Sequence, residues 1–304
     1  MKLTIFTPTY NRAYILENLY NSLLNQTNID FEWIIIYDES IDNTDQLVES
    51  WINQNRLDIK YIKQSHGGKH RAINKASEIA NGKYMFIVDS DDMLTKDAVE
   101  KVLEWIDEID QDETFCGVSG LKILNNGQVV GGDIDSTNYV DATNFEREKY
   151  NLLGDKAEVY RTDLLKKYKF PEFDNEYFVT EEVCYQEIAN AKYKIRWYNY
   201  PIYICDYLDD GLTNMGANNL EGHCKNYKGF CYLIKRAIKI QPFEYRYLYL
   251  KEFLKTKKAL KKNMNECSKD LDISFLKYLC LYLVIYPLSF LKNKFLKVFR
   301  KIFR

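Results

Sequence analysis

The strongest indication of the fold is the stretch Tyr84-Met85-Phe86-Ile87-Val88-Asp89-Ser90-Asp91-Asp92. Its uninterrupted apolar run indicates a strand that is buried in a parallel sheet. Three carboxylates follow within four positions, and they cannot enter a core unpaired because burying an ionised group without a partner is costly. We therefore place them at the carboxyl end of the strand, where open α/β sheets bind ligands.

These three carboxylates predict a divalent cation shared with phosphate oxygens. Hard oxygen donors clustered at a strand end suit a cation that keeps open positions for such oxygens. A second interpretation is that Asp91 or Asp92 caps a helix beginning near Thr95, because carboxylates stabilise helix starts. A cap needs one acid and three are present, so the metal–phosphate interpretation is favoured.

Strand-like and helix-like segments alternate through the first part of the chain. The predicted strands are residues 2–7, broken at Pro8, then 31–37, 59–62 and 84–88, and helices are predicted at 13–25 and 44–53 and after residue 66. Alternation at this spacing predicts a parallel, doubly wound α/β sheet. The polar stretches Thr7–Arg12, Asp38–Asp42 and Asp89–Asp92 each follow a strand, so parallel strands would collect all three in one crevice.

His66-Gly67-Gly68-Lys69-His70 is a second feature suited to anion binding. The two glycines allow close backbone approach, Lys69 supplies a positive charge, and the start of the following helix offers free N–H groups. A flexible turn is the alternative, and the residues alone leave both open. The spacing matches neither a Walker A loop nor a dinucleotide fingerprint.

The second half of the chain has a different pattern. Asn125-Asn126-Gly127 predicts a hairpin turn, and the polar residues up to Lys149 predict a loop. Short strands are expected at 157–160, 195–198 and 202–207, a helix from Thr180-Glu181-Glu182 to about residue 191, and helices across 218–262. We find no internal repeat, so we expect one domain over residues 1–212, a helical extension over 213–270 and a tail over 271–304.

Composition points to a soluble globular protein, with 46% hydrophobic and 28% charged residues in 304. The seven cysteines are odd in number and form no C-x-x-C pair, so we expect reduced thiols in a cytoplasmic protein. Met1-Lys2 leads directly into a strand-like run, and no secretory signal is expected. The chain carries a net charge of −2, and its acidic body argues against nucleic-acid binding.

The C-terminal tail is basic and apolar, with seven Lys/Arg and one Asp from Leu271 onward. Phe275–Leu291 is apolar but is interrupted by Lys277 and Pro287, and its 17 residues are at the lower limit for a membrane span. Apolar side chains then recur at helical spacing opposite basic ones: Leu291, Phe295, Val298 and Ile302. We predict attachment to an anionic membrane surface without a span; a helix pair packed on the body is the alternative.

Together, Thr7-Pro8-Thr9-Tyr10-Asn11-Arg12, Asp38-Glu39-Ser40-Ile41-Asp42, Gly67-Gly68-Lys69 and Asp89-Ser90-Asp91-Asp92 resemble the family 2 glycosyltransferases of GT-A fold. The resemblance covers residues 1 to about 210. It implies an α/β, doubly wound mixed sheet of the nucleotide-diphospho-sugar transferase type. It also implies a nucleotide-sugar donor, a Mn²⁺ or Mg²⁺ ion and transfer with inversion at the anomeric carbon.

The resemblance further implies which residues bind the donor. Asp91 would bind the metal that bridges the diphosphate, Asp89 would reach the ribose or the metal, and Lys69 would lie near the base or diphosphate. The family usually has two Asp after the second strand, whereas Tyr37-Asp38-Glu39 retains only the second. Thr7, Pro8, Thr9, Tyr10 and Asp38 would hold the nucleobase and ribose. The remaining donor-site residues are Arg12, Gly68 and Ser90.

Inversion needs a general base that takes the proton of the acceptor hydroxyl. The family usually supplies it from an acidic pair at a helix start, and the matching stretch is Thr180-Glu181-Glu182, so both Glu181 and Glu182 are candidates. A capping box or first-turn charge is the structural alternative. Further candidates are Gly154-Asp155-Lys156 and Tyr207–Gly211 for the acceptor or diphosphate side, and His223 as an added metal ligand.

The resulting functional hypothesis is a metal-dependent, inverting glycosyltransferase of hexosyltransferase type. By family habit it would use a UDP-sugar and extend a lipid-linked saccharide in bacterial surface or capsular polysaccharide synthesis, peripheral on the cytoplasmic face of the plasma membrane. One rival is a catalytically silent nucleotide-sugar-binding or scaffold subunit. Another is a nucleotidyltransferase, which we disfavour because Thr7–Arg12 lacks the glycines expected after its first strand.

Overall fold

The computed structural model describes residues 1–132, 134, 138–206, 211 and 219–290, without the side chains of 243, 244 and 284–290. The chain divides into two compact units. Unit 1 comprises Met1–Phe170 and Cys184–Leu208, and unit 2 comprises Pro171–Val183 and Asp209–Arg304. Unit 1 carries the sheet, and unit 2 is helical.

Unit 1 is built on one nine-stranded mixed sheet with helices packed on it. The strands are β1 (Leu3–Thr9), β2 (Phe31–Asp38), β3 (Ile59–Gln64), β4 (Tyr84–Ile87), β5 (Met93–Leu94), β6 (Phe115–Leu124), β7 (Tyr139–Ala142), β8 (Lys156–Arg161) and β9 (Lys194–Cys205). The helices are α1 (Leu16–Leu24), α2 (Thr44–Gln54), α3 (Lys69–Ile79), α4 (Ala98–Ile109), α5 (Thr162–Lys167) and α6 (Glu182–Asn190), the last of which begins in unit 2.

The first four long strands are parallel, in the order β3-β2-β1-β4, which confirms the predicted doubly wound arrangement. Their carboxyl ends lie along one edge, so the polar stretches after β1, β2 and β4 share that edge as predicted. The predicted break at Pro8 is wrong, because β1 continues to Thr9. Pairing with β4 ends at Phe6, so the missing N–H of Pro8 costs no ladder bond to β4.

The other half of the sheet makes it mixed. β8 runs antiparallel to both β4 and β6, and β9 lies parallel to β6. Two strands were predicted over the residues that form the single strand β9. β9 stays continuous because its pairing with β6 is irregular around Leu121 and Pro201, which accommodates the proline. The predicted hairpin turn closes through the Gly127 N–H and the Leu124 carbonyl at 2.8 Å, but its second arm pairs only through the bridge Ile123–Val129.

Two further differences concern loops and helix starts. Part of the stretch expected to be loop forms β7 and a 3₁₀ helix over Asn144–Tyr150. The helix expected near Thr95 begins at Ala98 with Asp97 at its N-cap position. Asp91 and Asp92 therefore do not cap it, which removes the helix-cap interpretation of the carboxylates.

Apolar side chains from both sides of the parallel strands form the core of unit 1. β2 contributes Trp33 and Ile35, which are fully buried, as its unbroken apolar sequence predicts. α4 buries one apolar face, with Val99, Val102 and Ile106 against this core. This packing fixes where each strand ends and therefore where the polar side chains lie.

Unit 2 confirms the helical pattern predicted after residue 218. Its helices are α7 (Leu220–Lys225), α8 (Tyr227–Ile240), α9 (Phe243–Ala259), α10 (Met264–Asp270) and α11 (Phe275–Phe290). Phe230, Ile234, Phe253 and Tyr278 are buried in it. Over the residues that the structure describes, none of the helices is long and apolar enough to cross a membrane. The amphipathic helix predicted beyond Leu291 lies outside the described residues.

Candidate active site

The loops that follow β1 and β2 are joined into one surface. The backbone N–H of Asn11 donates to Ser40 Oγ at 2.9 Å, and its side-chain Oδ1 accepts from the N–H of Ile41 at 2.7 Å. The N–H of Ala13 donates to Asp42 Oδ2 at 2.9 Å. The motifs Thr7–Arg12 and Asp38–Asp42, which were predicted to meet, are therefore joined by direct hydrogen bonds.

Asp38, at the end of β2, binds the glycine turn of the next motif. Its Oδ1 and Oδ2 accept the backbone N–H groups of Gly67 and Gly68, each at 2.8 Å. Gln64 Nε2 adds a bond at 2.7 Å, and His66 Nδ1 lies 3.0 Å from Oδ2. The N–H groups of the two glycines are thus held by a carboxylate of the chain itself.

The glycine turn places Lys69 at the acidic cluster. Gly68 has a φ of +86°, a conformation that strains any residue with a side chain. α3 begins directly afterwards, and Lys69 Nζ lies 2.6 Å from Asp89 Oδ1. On the other side of the cluster, Arg12 Nη2 lies 3.7 Å from Asp91 Oδ2. The structure therefore brings together the residues that were predicted to bind the metal and the diphosphate. Their positive and negative side chains form two ion pairs, Lys69 with Asp89 and Arg12 with Asp91.

The three carboxylates have different electrostatic surroundings. Burial and then the charge of Asp89 raise the pKa of Asp91. The same two causes raise the pKa of Asp92 to about 7. For Asp89, burial opposes ionisation, but the charges of Lys69 and Lys122 outweigh it and lower the pKa. Adjacent acids that disfavour one another's charge are a natural site for an added cation.

Two residues of this cluster were missed by the sequence analysis. The buried Tyr203 hydroxyl donates to Asp92 Oδ2 at 2.7 Å and accepts the N–H of Asp89 at 3.0 Å. Lys122 Nζ, from β6, lies 4.2 Å from the centre of the Tyr203 ring. Burial alone would lower the pKa of Lys122, but the charges of Asp89 and Asp92 raise it above the usual value. A lone lysine within the apolar strand 115–124 was the one signal that could have indicated Lys122.

The residues predicted to hold the nucleoside differ in exposure. Thr7 is fully buried, and its Oγ1 accepts from Trp33 Nε1 at 3.0 Å. The Thr9 hydroxyl is buried and has no hydrogen-bond partner among the described residues. Tyr10 is 45% exposed and stacks on His66, with ring centres 4.4 Å apart. Pro8 is half-buried and Ser90 is buried, and their contacts with a donor stay predictions.

Two further sequence-predicted candidates, Lys156 and His223, have contacts of their own. Lys156 is buried and donates to the carbonyls of Val130, at 2.9 Å, and of Leu153; burial and then Arg147 lower its pKa to about 8. His223, in unit 2, stacks on Phe230 with ring centres 3.9 Å apart. Within the described ranges, no group of three or more His, Cys, Asp or Glu is placed to hold a metal. Residues 207–210 lie outside those ranges.

Glu181 and Glu182 belong to unit 2 and stand at the start of α6, as predicted. The N–H of Val183 donates to the Thr180 carbonyl at 3.2 Å, which forms the first turn. Glu182 is exposed, and its Oε2 accepts from the Tyr249 hydroxyl at 3.0 Å. Glu181 is half-buried. The helix start leaves both carboxylates as candidates.

Known proteins resemble this chain in sequence over part of its length. The Staphylococcus aureus poly(ribitol-phosphate) beta-N-acetylglucosaminyltransferase TarS is 31% identical over 186 residues, 60% of this chain and 30% of TarS. The abequosyltransferase RfbV of Salmonella typhimurium is 31% identical over 159 residues, 49% of this chain and 47% of RfbV. The chain thus spans less than half of the length of either relative.

Solved structures share the fold. S. aureus TarS 1-349 in complex with UDP-GlcNAc matches with a TM-score of 0.62 at 23% identity, over 85% of this chain and 73% of that one. The Pyrobaculum calidifontis mannosyltransferase PcManGT, in complex with GDP-Man and Mn²⁺, matches with a TM-score of 0.56 at 16% identity, over 98% and 82%. These similarities confirm the predicted GT-A type of mixed α/β sheet.

The family described as glycosyl transferase family 2 matches residues 4–169, more than half of the chain. The matched region contains β1 to β4 and all the strand-end motifs that meet in unit 1. The chain belongs to glycosyl transferase family 2.

Proposed function

We propose that this protein is a metal-dependent, inverting glycosyltransferase of hexosyltransferase type that moves a sugar from a UDP-sugar to a saccharide acceptor. The observation that carries the proposal is the alternating cluster of Asp89 and Asp91 with Lys69 and Arg12 at the ends of parallel strands. A nucleoside diphosphate with a bound cation has the complementary pattern of charge. The proposal is supported by two relatives, TarS and RfbV, which are both named as glycosyltransferases.

The chemistry of the strand end fits Mn²⁺ or Mg²⁺, and Asp91 and Asp89 would hold the ion. Such ions bind in many enzymes through one or two carboxylates together with substrate phosphates, so two side chains suffice. The raised pKa of Asp91, caused by burial and then by Asp89, marks a repulsion that a cation would relieve. When bound, the ion would supply neutralising charge for the diphosphate leaving group.

The basic side chains would then contact the diphosphate. Lys69 is paired with Asp89, and in the donor complex we expect its ammonium to move from that carboxylate to a phosphate oxygen. Arg12 lies on the side of Asp91 and would bind a second phosphate oxygen. The exposed ring of Tyr10 offers a stacking face for a base, and the Thr9 hydroxyl would find its missing hydrogen-bond partner in the nucleoside.

Glu181 and Glu182 are our candidates for the general base. One of them would accept the proton of the acceptor hydroxyl as its oxygen attacks the anomeric carbon, while the nucleoside diphosphate leaves from the opposite face. That displacement inverts the anomeric configuration. The support is the family pattern of an acidic pair at a helix start, together with the Tyr249 hydroxyl that orients Glu182.

The acceptor that we propose is a lipid-linked saccharide in bacterial surface polysaccharide synthesis, at the cytoplasmic face of the membrane. TarS and RfbV are named for sugar transfer in bacteria, and TarS for transfer to poly(ribitol-phosphate). Leu276 and Leu283 of α11 are 69% and 61% exposed, seven residues apart on one helix face. The sequence after α11 carries six Lys/Arg and no acid, a composition suited to an anionic lipid surface.

The test is release of UDP from UDP-GlcNAc with Mn²⁺ by the purified protein, with GDP- and dTDP-sugars as parallel donors. Asp91→Asn should abolish metal-dependent donor binding, and Glu181→Gln or Glu182→Gln should keep binding but lower turnover by about 10². Glu113→Gln, on an exposed loop, is the matched control. No turnover with any donor would favour the silent-subunit alternative, and full turnover in both Glu variants would refute the assignment of the base.

A further inference from the structure

The segment that leads into the acidic pair is fastened to the first turn of α8, within unit 2. Glu176 is buried at 6% exposure. Its Oε1 accepts the N–H of Lys228 at 2.7 Å, and its Oε2 accepts the N–H of Gly229 at 2.8 Å. These N–H groups have no partner inside the helix, so the carboxylate satisfies them with two charge-assisted bonds.

Asn226, the residue before α8, in turn accepts hydrogen bonds from the backbone of the segment that contains Glu176. Its Oδ1 accepts the backbone N–H groups of Tyr177 at 2.9 Å and Phe178 at 3.1 Å. Its Nδ2 donates to the carbonyl of Gly222 at 3.1 Å. The segment therefore caps the helix, and the residue before the helix binds the backbone of the segment.

Close packing accompanies these polar bonds. A Cβ atom on Gly229 would lie 3.0 Å from Val179 Cγ2 and 3.3 Å from the Phe178 carbonyl oxygen. An alanine at this position would require the segment to move away from α8 by a few tenths of an ångström. Val179 itself is buried, and Glu181 follows two residues later. The backbone just before the acidic pair thus has polar and steric contacts with α8.

We propose that Glu176 and Asn226 are positioning residues that set the placement of Glu181 and Glu182. The inference rests on the proposed function, in which one of this pair is the general base. Proton transfer needs the base within hydrogen-bond reach of the acceptor hydroxyl, and a displacement of about 1 Å can cost about 10² in rate. Helix α8 would therefore contribute to catalysis by holding the segment that precedes the acidic pair.

Two variants disturb this connection in different ways. Glu176→Gln leaves an NH₂ group facing one of the two N–H donors, so one bond of the pair is lost. Gly229→Ala presses on Val179 while it raises helix propensity, so a loss of activity in that variant cannot be ascribed to a weaker helix. Asp174→Asn, an exposed position in the same segment, is the matched control.

The measurement is kcat and donor KM for UDP release from the nucleotide-sugar that wild type uses, with Mn²⁺, in each variant. We expect kcat to fall about tenfold in Glu176→Gln and Gly229→Ala, with donor KM within about twofold. In a Glu181→Gln/Glu182→Gln background the same changes should have no further effect, because there is no base left to position. A general loss of structure would lower the residual rate again.

The outcomes separate this inference from the function on which it rests. If wild type turns over and both variants keep its kcat, the positioning role is refuted and the proposed function stands. The same holds if the variants cause an additional loss in the Glu181→Gln/Glu182→Gln background. Absence of turnover in wild type would overturn both. A selective fall in kcat that disappears in that background would support both.

Discussion

Replacing Asp38 by Asn tests whether this residue mainly holds the glycine turn. The carboxylate is 4% exposed and binds Gly67 and Gln64 through Oδ1 and Gly68 and His66 through Oδ2. Asn keeps the shape and one acceptor oxygen. Its NH₂ group would face the N–H of Gly68. Because both groups are donors, the buried N–H of Gly68 would lose its acceptor.

The expected cost follows from that one unsatisfied group. A buried donor without a partner costs about 1–3 kcal/mol, and losing charge-assisted bonds adds to it, so we expect about 2–4 kcal/mol in total. For a unit of this size the melting temperature falls by about 2–4 °C per kcal/mol, hence by roughly 5–15 °C. Lys69 begins α3 directly after the turn, so donor binding should weaken as well.

The assay is thermal and urea unfolding of wild type and variant, followed by calorimetric titration with UDP and Mn²⁺. Asp58→Asn removes the same charge at an exposed position and should change neither quantity. A melting temperature of Asp38→Asn within about 1 °C of wild type would refute a structural role. If binding is lost at that unchanged stability, Asp38 contacts the nucleoside directly, as the family resemblance implies.

Two further predictions concern buried polar groups. Burial opposes ionisation of Glu32, but hydrogen bonds from Thr4 and Asn81 outweigh this effect and hold its pKa below the usual 4.5. The stability that ionised Glu32 contributes is therefore present above pH 4.5 and is lost as the pH falls through its pKa in the folded state. Glu32→Gln should flatten this acid limb in unfolding curves from pH 7 to 3, and an unaltered limb would contradict the assignment. Tyr203→Phe leaves the Asp92 carboxylate and a backbone N–H without their hydroxyl partner, which should cost about 2–4 kcal/mol in urea unfolding; an unchanged midpoint would show that other groups replace the bond.

The parallel half of the sheet could be predicted because its signals are local. Strands β1, β2 and β4 are short apolar runs that end in polar residues, as in Tyr84–Asp92, and a helical segment follows each strand of this half of the sheet. β9 and β7 were predicted poorly because their form depends on partners distant in sequence. Separate strands were expected at 195–198 and 202–207, whereas β9 is continuous through Pro201 with irregular pairing to β6.

The site shows the same limit. The motifs identified Asp38, Lys69, Asp89 and Asp91 correctly as residues that share one edge of the sheet. Spacing did not indicate that the carboxylate of Asp38 is used by the glycine turn. It also could not indicate Tyr203, whose hydroxyl meets the backbone of Asp89 from 114 positions away in the sequence.

In the proposed function, the strand-end carboxylates hold a nucleotide-sugar through a divalent cation. The most direct measurement is a thermal-shift screen of wild type and Asp91→Asn against UDP-, GDP- and dTDP-sugars, each with Mn²⁺ or with EDTA. A ligand at 100 times its Kd stabilises by about 2.7 kcal/mol, which such a screen detects. We predict stabilisation by the UDP class that disappears in EDTA and in Asp91→Asn; an absence of any shift in wild type, or a shift that persists in both, would contradict the claim.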